Sequence, residues 1–192
     1  MLTDRIMGAF TFKKGTYAEV EKDTSFTQTA WILVAVVSFL QQLGSNASRN
    51  IGHWFIGTIV GTIFAVIGFA LAAFVIAWVG RSLFKADVTF EEMVRTLGLA
   101  YIWNIIGVIG ALAAFSGALS CLLAPALFVG AILGLIAWFV AAKEALDLEW
   151  VQTIITVIIG WIVLFVMLAI AGAVLGLLGV TARGVLGLFG GQ

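Results

Sequence analysis

At 192 residues, with 62% hydrophobic and 10% charged side chains and a mean hydropathy of +1.17, the chain lies far from the soluble average of about 25% charged. Ten Lys and Arg balance ten Asp and Glu, so there is no basic excess for nucleic acid. The composition is that of an integral membrane protein, and the single cysteine, Cys121, excludes an internal disulfide.

The first 26 residues read as a short amphipathic segment outside the bilayer. Asp4, Arg5, Lys13 and Lys14 leave no apolar core there, so the segment is no secretory signal. Apolar runs of about 20 residues, the length a crossing needs, follow at 27–43, 51–79, 94–115, 119–142 and 151–178. They predict an all-α, polytopic bundle of five transmembrane helices over 27–178, followed by a glycine-rich tail at 179–192. The second run is overlong: 29 residues exceed a hydrocarbon core of about 30 Å, which implies tilt or an interfacial first turn at His53 and Trp54.

Orientation follows from the cations. With the N-terminus inside, Arg5, Lys13, Lys14, Lys22, Arg81, Lys85, Arg95 and Lys143 are cytoplasmic, only Arg49 and Arg183 are outside, and all ten acids are inside. Trp31, Trp78, Trp138 and Trp150 then mark the inner interface and Trp54 the outer one. The chain is predicted to be N-in and C-out. In the longer inner loop, Thr89-Phe90-Glu91-Glu92 has the grammar of a capping box. Lys143, Asp147, Leu148 and Glu149 repeat the spacing of Lys85, Thr89, Phe90 and Glu91, and Thr16-Tyr17-Ala18-Glu19 echoes it, so Asp147 and Thr16 are further candidate caps.

Three stretches carry a resemblance: "MGAFTFKKGTYAEVEKDTSFTQTAWILV", "GRSLFKADVTFEEMVRTLGLAYIWNIIG" and "AWFVAAKEALDLEWVQTIITVIIG". They resemble the Ypt-interacting-protein (YIP) family in its short prokaryotic form. The resemblance implies five spans, a cytoplasmic N-terminus, an outward C-terminus and a prokaryotic inner membrane. Eukaryotic relatives act in membrane traffic and contact small Rab-type GTPases. Their long polar N-terminal region is missing here, which puts a GTPase partner in question. Asn104 stands where the family commonly has a proline in the third helix, so a kink there needs another cause.

No catalytic, cofactor or metal residues emerge. His53 is the only histidine, and it lies on the side opposite the acids, which excludes a histidine-based triad; an interfacial role is expected over pigment ligation. Asn46-Ala47-Ser48 fits a glycosylation sequon by chance. Within the spans only neutral polar groups remain: Asn104, Thr58, Thr62, Ser120, Thr153 and Thr156. Asn104 is expected to bond across to a neighbouring helix, and Pro125 to give a packing kink. Gly57 with Gly61, Gly130 with Gly134, and Gly172 with Gly176 form GxxxG pairs for close helix packing, with a homo-oligomer seam as the alternative.

The functional expectation is a non-enzymatic membrane organiser or adaptor of the YIP type, in contact with lipids and an unidentified membrane or cytoplasmic protein. Its recognition candidates are Lys13, Lys14, Tyr17 and Glu19 beside Phe10 and Phe12, then Lys85, Asp87, Phe90 and Glu91 beside Phe84. On this reading residues 1–16 can be deleted without loss of the bundle. The competing readings are an accessory subunit of a larger membrane complex and a small-solute transporter or channel with a polar cavity lined by Asn104 and the threonines.

Overall fold

The computed structural model describes residues 1–48, 50–113 and 116–177; Arg49, Phe115, Arg183 and the glycine-rich tail lie outside the described residues. Those described are all-helical: α1 (Leu2–Phe10), α2 (Thr16–Lys22), α3 (Phe26–Ser45), α4 (Ile51–Phe84), α5 (Phe90–Ala100), a 3-10 segment (Tyr101–Ile109), α6 (Gly110–Ala113), α7 (Gly117–Leu146) and α8 (Trp150–Leu177). Five stretches are long and apolar enough to cross a membrane: Phe26–Ser45, Ile51–Phe84, Phe90–Leu112, Ala118–Leu146 and Trp150–Leu177. The five expected runs are therefore present, although α4 continues for 34 residues and the third crossing is a composite of α5, the 3-10 segment and α6.

That composite sits at the centre of the bundle. In a 3-10 helix residues three apart eclipse one another, so its side chains fall into straight rows. One row, Tyr101, Asn104, Gly107 and Gly110, runs along α3. The Ser38 hydroxyl donates to the Tyr101 hydroxyl at 3.2 Å, and a Cβ placed on Gly107 would lie 2.9 Å from Gln41 Cγ. The next row faces α7: a Cβ on Gly134 would meet Trp103 Cβ at 3.1 Å, and one on Gly130 would meet Ile106 Cδ1 at 2.7 Å. Asn104 departs from expectation. Its side-chain amide donates to the Tyr101 carbonyl at 3.2 Å, inside its own segment rather than across to a neighbour. A 3-10 turn brings the i−3 carbonyl within reach of a short amide, and the local bond forms.

Around this axis the core is aromatic. Phe69 of α4 is fully buried, with its ring centroid 5.4 Å from Tyr101, 5.8 Å from Trp31 and 6.2 Å from Trp138, all edge-to-face. Such geometry aligns ring edges with ring faces and adds about 0.5–1.5 kcal/mol per pair beyond burial. Trp138, expected at the interface, is a core residue 5% exposed, packed between Phe69 and Trp161. The large apolar side chains of α4 and α8 that stay exposed, such as Ile63, Phe74, Ile162 and Phe165, form the exterior expected of a lipid-facing bundle.

Helix ends divide the cap candidates. Thr89 Oγ1 accepts from the Glu92 amide at 3.2 Å, and Glu92 Oε2 accepts from the Thr89 amide at 2.6 Å, which completes the capping box. Thr89→Ala is therefore expected to cost about 1 kcal/mol in thermal denaturation in detergent, while Thr89→Ser, which keeps the acceptor, stays near wild type. Equal losses in the two variants would remove capping as the role of Thr89. The other two candidates are not N-terminal caps. Thr16 is the first residue of α2, whose cap is Gly15 at φ +86°, and Asp147, at φ +48°, terminates α7. Lys85 ends α4 at φ +59° whereas Lys143 is inside α7, so the two spacings that align in sequence occupy different structural positions. Lys143 reaches forward instead, donating to the Leu148 carbonyl at 2.6 Å.

Two of the three GxxxG pairs face a neighbour. A Cβ on Gly57 would meet Asn46 at 3.0 Å and one on Gly61 would meet Gln42 Oε1 at 2.5 Å, so this pair packs on the end of α3, as Gly130 and Gly134 pack on the 3-10 segment. Among the described residues, nothing lies within 4 Å of a Cβ on Gly172 or Gly176.

Candidate interaction face

The N-terminal segment was expected to be separable from the bundle; instead it is built into it. The Trp103 indole donates to the Ala9 carbonyl at 3.3 Å, while Phe10 meets the Trp103 ring edge-on at 4.9 Å and Phe12 stacks on it at 5.7 Å. Phe12 holds φ +52°, a conformation costing roughly 1–2 kcal/mol for a side chain with a Cβ, and the stack supports it. Ala9, Val20 and Phe26 are buried with Trp103 in one core cluster. Removing residues 1–16 would strip the cover from Trp103, so the deletion is expected to destabilise the bundle rather than leave it unchanged. Phe10 and Phe12 stand beside lysines in sequence, which marks them for recognition, whereas their ring partner Trp103 belongs to the third crossing.

Arg95 makes the second attachment, and sequence reading used it only as a topology charge. It is 4% exposed. Its guanidinium donates to the Glu21 carbonyl through Nε at 2.8 Å and again through Nη2, and to Thr27 Oγ1 through Nη1 at 3.1 Å, with Glu92 at 4.0 Å. Glu21 stands in the last turn of α2, where carbonyls lack helical partners and favour a cation. Arg5 adds a third attachment. It pairs with Glu19 at 2.9 Å and Asp23 at 2.8 Å and lies 5.0 Å above the Phe26 ring. Hydrogen bonds from Ser25 and then Arg5 hold the Asp23 carboxyl below its ordinary value. Burial first, then repulsion from Glu92, pushes the Glu21 carboxyl up.

The recognition candidates separate accordingly. Tyr17 is 3% exposed, and burial raises its hydroxyl pKa; it is a core residue and unavailable to a partner. Glu19 is exposed but tied to Arg5. Phe90 is half-buried against Trp31 and Phe74. Lys13, Lys14, Lys85, Asp87 and Glu91 are exposed.

The connector from α4 to α5 has an alternating backbone: Lys85 and Asp87 point outward, while Ala86 and Val88 are buried at 9% and 3% exposure. The Ala86 amide donates to the Gly80 carbonyl at 3.0 Å, and the Thr89 box closes the far end. Its charges are thus displayed on a pinned strip.

Four threonines inside the spans bond back to their own helices, and Thr58 also reaches the Gln42 carbonyl of α3 at 3.5 Å. The hydroxyls of Thr58, Thr62, Thr153 and Thr156 donate to carbonyls four residues earlier, at 2.7–3.1 Å. The Asn46 amide, part of the sequon, donates to both the backbone and side chain of Gln42. His53 is exposed in the first turn of α4, its backbone amide taken by the Asn50 side chain at 3.1 Å.

A family model described as the Yip1 domain matches residues 7–186. Among the curated proteins and among the solved structures, none matches.

Proposed function

This chain belongs to the Yip1 family, and on that premise we propose that it is a membrane organiser or adaptor whose partner, a membrane or cytoplasmic protein, is recognised through the connector between α4 and α5, on the cytoplasmic side of an N-in, C-out bundle. The observation that carries the reading is the pinned strip, with Lys85, Asp87 and Glu91 outward over buried Ala86 and Val88. A surface already ordered before contact loses little entropy when it binds, and its charges fix orientation. Leu83, 64% exposed, and half-buried Phe84 supply the adjacent apolar anchor.

The α1–α2 turn belongs to a different surface. Arg95 holds the C-terminal end of α2, and Lys13 and Lys14 precede its other end. The test is the double charge reversal Lys85→Glu with Asp87→Lys in the full-length protein, purified in mild detergent with whatever stays bound. Because both side chains are exposed, the thermal transition is expected to stay at the wild-type value while partner recovery falls roughly ten-fold, the loss that about 1.4 kcal/mol produces. Unchanged recovery would move recognition off the connector.

A further inference from the structure

α1 is too short to cross a bilayer, yet it has two sides. Ile6, Ala9 and Phe10 pack inward on the core, while Met7, 57% exposed, faces outward and Leu2, 44% exposed, is open at the start of the helix. Its level relative to the crossings is set by two attachments. Near its start, Arg5 lies over the ring of Phe26, the first residue of α3, and pairs with Asp23 just before it. At its end, the Ala9 carbonyl is held by Trp103, eight residues past Arg95 along the third crossing. Phe26 opens a stretch long and apolar enough to cross a membrane, so the Arg5 contact fixes α1 at the entry of that crossing, the level where headgroups meet acyl chains. Met7 is thereby offered at the depth where exposed apolar side chains of an interfacial helix are buried by lipid.

The turn that follows carries the complementary charge. Lys13 and Lys14 are both exposed and line a cleft of about 230 Å³ together with Asp4, Arg5, Thr16 and Glu19. Arg5 is committed to Glu19 and Asp23, whereas among the described residues no carboxylate forms an ion pair with either lysine. The Lys13 amide donates to the Gly8 carbonyl at 2.9 Å, and Gly15 at φ +86° turns the chain into α2, so the lysines are held at the foot of α1. Two uncommitted cations at the entry of a crossing match an anionic phospholipid, with its phosphate at the lysines and its chains over Met7 and Leu2.

We propose that α1 and the Lys13–Lys14 turn form an interfacial anchor that binds anionic phospholipid headgroups on the bilayer face where α3 begins. The anchor acts on lipid, independently of the partner surface on the connector.

The experiment uses the full-length protein with Cys121→Ser, titrated in neutral detergent with phosphatidylglycerol, phosphatidylcholine or inorganic phosphate, with thermal stability as readout. Phosphatidylglycerol is expected to raise the transition in the parent, and Lys13→Ala with Lys14→Ala to weaken that response on the order of 20-fold. The transition without anionic lipid should be the same in both. In phosphatidylcholine vesicles with added phosphatidylglycerol, a bimane on Met7→Cys should be quenched by nitroxides on the upper acyl chain and be shielded from aqueous iodide. An unchanged phosphatidylglycerol response in the double variant would overturn the proposal, as would an equal response to inorganic phosphate or quenching from water alone. Loss of a co-purifying protein with lipid binding intact would assign the lysines to a protein instead.

Discussion

Gly44→Ala is expected to lose about 3 kcal/mol of stability, at the upper end of what overpacking a close contact costs. A Cβ at this position would overlap the Gly107 carbonyl oxygen, with the Gly107 carbon at 2.8 Å and Val108 Cα at 3.1 Å. All three obstacles are backbone, so no rotamer change relieves them; α3 or the 3-10 segment must move. Gly61→Ala provides the contrast, because the three atoms nearest its Cβ all belong to the Gln42 side chain, which can move at the cost of its hydrogen bond from Asn46. Gly172→Ala, with nothing within 4 Å, should match wild type. Thermal unfolding in one detergent ranks the three. If Gly44→Ala unfolded with Gly172→Ala, close approach of α3 to the third crossing would not support the bundle.

Arg95→Met is expected to be comparably severe, about 3 kcal/mol, because it removes three charge-assisted donors and leaves the Glu21 carbonyl and Thr27 hydroxyl without their partner. Methionine fills much of the volume, so the loss reports the hydrogen bonds more than a cavity. Arg95→Lys should fall between the two, since an ammonium keeps the charge but not the planar fork that addresses Glu21 and Thr27 together. The distinguishing measurement is limited trypsin digestion of the folded protein. Release of α2 should speed cleavage after Lys13, Lys14 and Lys22 before the transmembrane helices unfold. Wild-type protection in Arg95→Met would show that Trp103 and Arg5 hold the segment without it.

Features fixed by neighbouring residues were readable from sequence; features fixed across the fold were not. The capping box at Thr89 needs only the residue three positions on, and the spans need only unbroken apolar length. Gly57, Gly61, Gly130 and Gly134 were visible through their spacing, but the tighter contact of Gly44 with Gly107 was not, since it joins two helices and follows a three-residue row. Reading the third crossing with an α-helical period concealed that row and directed Asn104 outward to a neighbour. Tyr17 and Phe12 have charges as sequence neighbours, the pattern of a recognition surface, and only Trp103 and the surrounding core explain their placement. Arg95 looked like one more loop cation until Glu21 and Thr27 closed around it.

The 3-10 segment also alters reach. Nine residues at about 2.0 Å rise cover about 18 Å, where the same nine as α-helix would cover about 13.5 Å. The central crossing thus gains about 4–5 Å from conformation alone, and it does so among helices of conventional pitch. That increment equals the few ångströms by which hydrocarbon thickness differs between cellular membranes. Tightening or relaxing this one stretch changes the span's length by the same amount, a mechanical link between the fold's axis and the thickness of the bilayer around it.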